Sequence, residues 1–398
     1  MKVLVNASNL HSGGGVAVAS SVIGELSRAE LGDDELVIVV SSEVHRNLLA
    51  MDVDQEAFSD YRIFDVAGIK ALWVRHPFSR KAFDVIMNVF GPSYHFDWAF
   101  GSVMGFAQPW VAFPDNPAYE LLTPSQRIKT RVKYALVAAS FLLADTLVVE
   151  QDSVRQALRR RRPFSGRRIS VVSNAVDSVF FDRARWQPVD LPEGEGRLKF
   201  GLVARNYPHK NLCILSEVKH RLMADHGISA DFYVTLTDDE WEKMSDEFRA
   251  EIINVGSLKL DQSPSFLSQL DAVVFPTLLE CFSASPIEAR AVGTPLFASN
   301  LDVIRETVGD YAVYFDPLSA VDMSDKIASR LCNGEVQAHK ERETSTNLEI
   351  IMPVDAARIR AESLLELCRQ VADRRRLTPR GIRKAARTLA SGSRMADA

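Results

Sequence analysis

Short apolar runs alternate with helix-period segments through the first half of this chain, break off, and then start again. Val3–Val5, Leu36–Val40, Arg62–Val66 and Asp84–Val89 read as strands, with helical patterns over Val16–Arg28 and Val44–Met51 between them. The pattern continues with a strand near Trp110–Phe113, a helix over Ser125–Leu143, a strand at Thr146–Glu150, a helix from Ser153 to Arg160 and a strand at Ile169–Ser173. Such alternation specifies βαβ units and a parallel sheet covered on both faces. The stretch Asp182–Arg197, with Pro188, Pro192, Gly194, Gly196 and several acidic residues, loses periodicity and has the composition of a linker. Strand and helix patterns then resume from Leu198–Ala204 and Asn211–Asp225 to Tyr311–Phe315 and Ala320–Leu331, and Asp355–Arg376 reads as a long last helix. A chain of 398 residues exceeds what one hydrophobic core organises, roughly 250–300 residues. The expected fold class is therefore α/β, with two Rossmann-like doubly wound domains facing across a cleft. We place them at residues 1–185 and 198–350, joined by a linker at 186–197. A segment 351–398 carries the last helix back toward the first domain. Ligands in such sheets bind beyond the C-terminal ends of the strands.

The composition, 46% apolar and 25% charged, leaves material for two cores, and the net charge of −5 gives no case for nucleic acid. Basic residues cluster locally, at Arg155–Arg168 and Arg374–Arg387. These runs read either as solvated helix faces or as contacts to an anionic membrane surface, and the apolar-basic helix Ile128–Leu143 extends the second reading. Cys213, Cys281, Cys332 and Cys368 form no CxxC pair, so we expect reduced thiols rather than a zinc site or disulfides. MKVLVNASNL is a strand pattern without a signal-peptide h-region. The longest apolar stretch, Tyr134–Val149, is broken by Ser140 and Asp145 and is too short to span a bilayer. The expected location is cytoplasmic, with any membrane contact peripheral and on the inner face.

Four features in this frame carry chemistry. Glu280 and Glu288 lie in LLECFSASPIEARAVGTP, the first beyond the apolar strand DAVVFPT and the second in the first turn of a helix that Ser285 and Pro286 open. Two readings of Glu288 stand: a capping box with Ser285, or an acceptor for the vicinal hydroxyls of a sugar. The helix start, with backbone N–H groups from Ser283 to Ser285, suits a phosphate. Arg205 and Lys210 share one strand-to-helix loop, GLVARNYPHKNL, where two cations clamp a diphosphate or simply face water, and Asn211 is placed to cap the helix that follows. Gly13-Gly14-Gly15 after the first strand allows backbone to approach a phosphate, or is a plain turn; it is neither GxGxxG nor a P-loop. Gly293-Thr294-Pro295 ends a helix and leads into a new strand.

In order and spacing these motifs resemble family 4 of the retaining GT-B glycosyltransferases. The resemblance rests on Arg205, Lys210-Asn211-Leu212, Pro276-Thr277, Glu280, Glu288-Ala289, Gly293-Thr294-Pro295 and Phe315-Asp316-Pro317, with Val172–Asp177 ahead of the linker. It implies a nucleotide-sugar donor and a glycan or lipid-linked acceptor, and no cofactor or metal. Arg205 and Lys210 would neutralise the donor diphosphate, Glu288 would hold ribose hydroxyls, and Glu280 would face the transferred sugar. Backbone around Phe282, Ser283, Ala284 and Ser285 would contact sugar and phosphate, and Gly14 and Gly15 would form the donor-facing loop of the first domain. The anomeric configuration would be retained. Two departures stand out. Glu280-Cys281-Phe282-Ser283-Ala284 replaces the family's glycines with small residues, similar to a bacterial surface-polysaccharide subgroup. The stretch Trp110–Tyr119 lacks the family's His, so Asp115 or Asn116 contacts the sugar instead, or Asp115 begins an Asp-Asn-Pro turn. His209 reads as a loop residue rather than a base. The alternatives are a pseudo-glycosyltransferase that binds nucleotide sugar or a protein partner, and a nucleotide-sugar epimerase of the same architecture.

Overall fold

The computed structural model describes residues 1–66, 83–92, 101–174, 176–192, 196–333 and 355–377. The chain divides into two compact units. One takes Met1–Gln108, Lys133–Asn174 and the segment from Asp355 onward; the other takes Pro109–Val132 and Ala175–Val354. The chain thus enters the second unit ahead of the Pro/Gly/acidic stretch. Its 3-10 turn Ser178–Phe181 packs on the helix Ser285–Val292 and buries Val179 and Phe180.

The first unit holds a seven-stranded sheet: β1 (Lys2–Ala7), β2 (Glu35–Val40), β3 (Asp60–Ile63), β4 (Val85–Asn88), β5 (Gly101–Gly105), β6 (Thr146–Val149) and β7 (Arg168–Val171). Their order is β3-β2-β1-β4-β5-β6-β7 and every pairing is parallel. Strands such as ELVIVV are apolar on both faces because helices cover both, as parallel sheets require. The helix Gly14–Leu26 and the C-terminal helix Ala356–Arg376 pack together, and the latter also lies on β4 and β5. Arg360–Glu150 (3.2 Å, both buried), Arg369–Asp34 (2.9 Å) and Arg375–Asp145 (2.8 Å) tie this last helix down. Arg374 donates to Thr146 Oγ1 and Arg376 lies 3.6 Å from Asp84, so the start of the basic tail is spent inside the unit. The rest of that tail, to Arg387, lies outside the described residues, as do Ala175 and Gly194.

The second unit holds β8 (Leu198–Leu202), β9 (Ala230–Val234), β10 (Ile253–Asn254), β11 (Ala272–Phe275), β12 (Leu296–Ser299) and β13 (Ala312–Phe315), ordered β10-β9-β8-β11-β12-β13 and again all parallel. In each sheet the winding reverses once, between β1 and β4 and between β8 and β11. These are the topological switch points where open α/β sheets take ligands.

Three expectations need correction. Trp110–Phe113 is not a strand: Pro109–Ala112 is a short helix whose side chains are buried, so its apolar run reflects packing rather than pairing. The strand that was missed is β5, GSVMG. Its glycines weaken the strand signal but are required: a Cβ on Gly105 would fall 1.8 Å from the carbonyl oxygen of Val89, and one on Gly101 would fall 2.5 Å from Val371. Asn211 does not cap the following helix. It adopts a left-handed conformation (φ 54°) and its Nδ2 donates to the Pro317 carbonyl at 2.7 Å, leaving the helix Ile214–His226 without a side-chain cap. The segment expected to be mostly helical, Asp239–Ile252, divides into Asp238–Trp241 and Asp246–Glu251, capped by Thr237 and Ser245. Among the described residues no helix is long and apolar enough to cross a membrane.

Candidate functional site

The predicted residues of the second half converge on the β8–β11 switch point. The loop after β8 carries Arg205 and Lys210, and the loop after β11 carries Glu280. Two hydrogen bonds to one carbonyl fasten these loops together: Leu278 N–H (2.7 Å) and Thr277 Oγ1 (3.2 Å) both reach the His209 carbonyl oxygen. Thr277 Oγ1 also lies 2.7 Å from Glu280 Oε1, which accepts from Lys210 Nζ at 2.6 Å. Thr277 and Glu280 are buried, so this ion pair sits where water screens it weakly. The Lys210 ammonium also lies 5.1 Å from the Phe275 ring centroid.

Arg205 is held differently. Its Nε donates to both carboxylate oxygens of Glu240, at 2.9 and 3.0 Å, while its side chain keeps 41% exposure. Its two Nη groups have no partner among the described residues. The His209 ring stacks on Tyr207, with centroids 5.6 Å apart and planes 4° off parallel. Burial lowers the His209 pKa, with Lys210 adding to the effect and Glu280 opposing it, so the ring stays neutral near pH 7.

The capping-box reading of Glu288 fails. The helix Ser285–Val292 begins at Ser285, Ala284 holds the N-cap position in helical conformation, and no side chain caps it. The Ser285 hydroxyl instead lies 3.4 Å from the Val203 carbonyl just beyond β8. Glu288 is left half-buried, its carboxylate with no hydrogen bond or ion pair among the described residues. Desolvation and the charge of Asp177 push its pKa up to about 7, against the opposing charge of Lys210. An unpartnered carboxylate beside a cation is costly for the fold and suited to accepting ligand hydroxyls. Phe282, Ser283, Ala284 and Ser285 are half-buried between Glu280 and this helix.

Asp115 and Asn116 belong to the same unit, and the 3-10 turn Pro117–Leu121 that follows them packs against Pro208–Lys210. Asn116 is consumed by structure: its Nδ2 donates to the Phe113 carbonyl and its Oδ1 accepts from Ala118 N–H. Asp115 is exposed. Gly14 and Gly15 sit in the other unit, at the start of the helix that follows β1. A Cβ on Gly14 would meet nothing within 4 Å, whereas one on Gly15 would touch Leu10. Glu240 escaped the sequence reading, and Thr277 and Asp177 entered it only as part of the resemblance, without a role. Thr237-x-x-Glu240 is legible as a capping box, but nothing in its spacing announces a contact with Arg205.

Residues 187–346 match the family model Glycosyl transferases group 1. The match takes in Arg205, Lys210, Glu280 and Glu288. Among curated proteins, the chain is similar to the O-antigen chain mannosyltransferase RfbU of Salmonella typhimurium (24% identity over 169 residues, 42% of this chain and 45% of the relative). It is also similar to the 2-deoxystreptamine N-acetyl-D-glucosaminyltransferase of Streptomyces fradiae (23% over 245 residues, 58% and 56%). The chain thus spans about half the length of these relatives. Among solved structures, a glycosyltransferase from Rickettsia africae ESF-5 superposes with a TM-score of 0.61 at 14% identity, covering 93% of this chain and 98% of that one. The two parallel-sheet α/β units have the fold of the GT-B glycosyltransferases.

Proposed function

We propose that this protein transfers a sugar from a nucleotide-sugar donor to a glycan or lipid-linked acceptor with retention of anomeric configuration, as a family 4 enzyme of bacterial surface-polysaccharide synthesis. The observation that carries this reading is the gathering of Arg205, Lys210, Glu280 and the unpartnered Glu288 at one strand edge. Arg205 and Lys210 bind the diphosphate and stabilise the leaving nucleoside diphosphate, which is where charge develops as the glycosidic bond breaks. Glu288 accepts from the ribose hydroxyls. Glu280, fixed by Lys210 and Thr277, faces the transferred sugar, and the backbone of Phe282–Ser285 contacts sugar and phosphate. Asp115, exposed beside the Lys210 loop, stands where the sugar or acceptor approaches, and the Gly14-Gly15 turn offers open backbone on the first unit. Arginine and lysine supply the positive charge, so the reading needs no metal. The test is release of nucleoside diphosphate from a panel of UDP, GDP and dTDP sugars. Turnover lost in Glu280→Ala and Lys210→Ala supports the proposal. Donor binding without turnover would favour a pseudo-glycosyltransferase, and conversion of the donor sugar without an acceptor would favour an epimerase.

We also propose, for a cytoplasmic enzyme, a peripheral contact with the inner face of a membrane, argued from one surface. The helix Pro124–Phe141 exposes Ile128 (66%), Val132 (57%) and Leu136 (71%) along one stripe, flanked by exposed Arg127, Lys129, Arg131 and Lys133 and by no acidic residue. In the other basic run, Arg159, Arg160, Arg162, Arg167 and Arg168 are exposed, while Arg155 pairs with Asp152. An apolar stripe edged with cations suits an anionic bilayer surface. Flotation with vesicles containing anionic lipid, lost at high salt and in Ile128→Glu, is the expected result. Equal recovery with neutral vesicles would overturn it.

A further inference from the structure

Glu240 is placed to do more than cap a helix. It stands at the third position of Asp238–Trp241 and closes a capping box with Thr237: its Oε2 accepts from Thr237 N–H at 3.2 Å, and its own N–H donates to Thr237 Oγ1 at 3.4 Å. A capping box requires nothing further of the carboxylate. Here the same group also reaches the loop after β8. Its Oε1 accepts from Asn206 N–H at 3.2 Å, and both oxygens accept from Arg205 Nε. Burial opposes ionisation of Glu240, but the bonds from Arg205, Thr237 and Asn206 prevail and hold its carboxyl below the usual range.

The way Arg205 is held matters. A carboxylate that served only as a salt-bridge partner would do best against the paired Nη groups or the Nε–Nη edge, spending a two-pronged face of the guanidinium. Glu240 instead receives the Nε–H alone, which fixes the plane of the guanidinium and leaves both Nη groups without a partner among the described residues. Held at its base with its outer donors free, Arg205 is preorganised for an anion at the β8–β11 edge. An arginine free to rotate would lose side-chain entropy on each binding event, and this one has already lost it.

We infer that Glu240 is a positioning residue that orients Arg205 for the diphosphate of the donor. The inference deepens the donor-site reading above and rests on it. Glutamine at position 240 can still close the capping box but lacks the charge and the second acceptor oxygen, so Glu240→Gln separates positioning from capping. The experiment titrates UDP, GDP and dTDP into the full chain as wild type, Arg205→Ala, Glu240→Gln, Glu240→Ala and the Arg205→Ala/Glu240→Gln double variant, with a melting curve for each. The Arg205→Ala loss should be about 10-fold to 100-fold in affinity for the best-bound nucleotide, and the Glu240→Gln loss roughly 5-fold to 10-fold with little change in melting temperature. The double variant should bind no worse than Arg205→Ala alone, because without the arginine there is nothing to position. Should Glu240→Ala fail to fold, the glutamine variant alone decides. Wild-type affinity in Glu240→Gln, or losses that multiply in the double variant, would overturn the inference while leaving the donor site standing. Wild-type affinity in Arg205→Ala, or no binding of any of the three nucleotides to the wild type, would instead remove the donor-site reading and this inference with it.

Discussion

At the β1–β4 edge of the first sheet the buried side chains form a neutral network: Asn6 Nδ2 donates to Asn88 Oδ1 at 2.8 Å, Ser8 Oγ donates to Asn6 Oδ1 at 2.7 Å, and Asn9 Nδ2 reaches the Phe90 carbonyl at 3.0 Å, with the ionisable pair His11 and Asp65 (3.5 Å) lying farther out on the loops. At the β8–β11 edge of the second sheet the side chains are ionisable: Arg205, Lys210, Glu240, Glu280 and Glu288. Both places are switch points of parallel sheets, so topology does not separate them; side-chain chemistry does. In the neutral network Asn6, Ser8 and Asn88 are buried and bonded to one another, which makes that edge rigid. The charged edge keeps valence in reserve, in the Nη groups of Arg205 and the carboxylate of Glu288. On the function proposed above, the donor diphosphate would belong with the second.

The largest effect that would sharpen this contrast is expected from Lys210→Ala. The substitution removes the cation from a pair in which Glu280 is buried and Lys210 half-buried, and leaves Glu280 with Thr277 alone. Breaking such a pair costs up to about 3 kcal/mol of stability, and losing a donor aimed at developing charge lowers turnover on the order of 10²–10³-fold. Melting curves and nucleoside diphosphate release measure the two effects. A loss of turnover equally large in Asn6→Ala would erase the distinction between the edges.

Glu288→Gln should change stability and binding in opposite directions. The folded chain holds the Glu288 proton up to about pH 7, whereas the unfolded chain releases it near the ordinary value of 4.5. Between these values the native state binds more protons, so this group's contribution to stability falls as pH rises through the window and is level above it. The difference amounts to roughly 3 kcal/mol at most. Glutamine removes that slope, so the variant should melt higher than wild type at pH 8 by a margin that shrinks toward pH 5. It should also bind nucleoside diphosphate more weakly, having lost one acceptor for the ribose. A variant that binds as wild type does would return Glu288 to a structural role.

Much of the charged edge was legible because Arg205, Lys210, Glu280 and Glu288 follow strands within one stretch of chain, and the apolar runs of β8 and β11 show where those strands end. Their partners were hidden because each depends on a long-range neighbour. Glu240 meets Arg205 only once β9 lies beside β8, and Asp177 faces Glu288 only once the turn Ser178–Phe181 packs on the helix Ser285–Val292. Ser285-Pro286-x-Glu288 reads as a cap only if the helix begins at Pro286; with Ser285 inside the helix the box cannot close. The strand β5 was unreadable for a steric reason, since its glycines are demanded by Val89 and Val371 rather than by strand propensity.

On the neutral edge, Asn88→Ala removes the acceptor of Asn6 Nδ2 and leaves a buried donor unpaired. A loss of about 1–3 kcal/mol in stability is expected, with nucleotide affinity unchanged. Chemical denaturation and the same nucleotide titration check both halves, and a parallel fall in affinity would show that the two edges are energetically linked.

The smallest structural effect is expected from Gly14→Ala, which makes it the cleanest probe of ligand approach. Gly14 opens the helix Gly14–Leu26, its φ is not in the left-handed region, and an added Cβ would meet nothing within 4 Å. Nothing in the fold asks for glycine there, and alanine at a helical position is worth up to about 0.5–1 kcal/mol over glycine. Gly105→Ala, whose Cβ would collide with the Val89 carbonyl, is the opposite case and should destabilise strongly. If Gly14→Ala melts at or above the wild-type temperature and still loses turnover, the missing space belonged to a substrate, since no atom of the described residues occupies it. Unchanged turnover would reduce Gly13-Gly14-Gly15 to a turn and leave nucleotide recognition to the second unit.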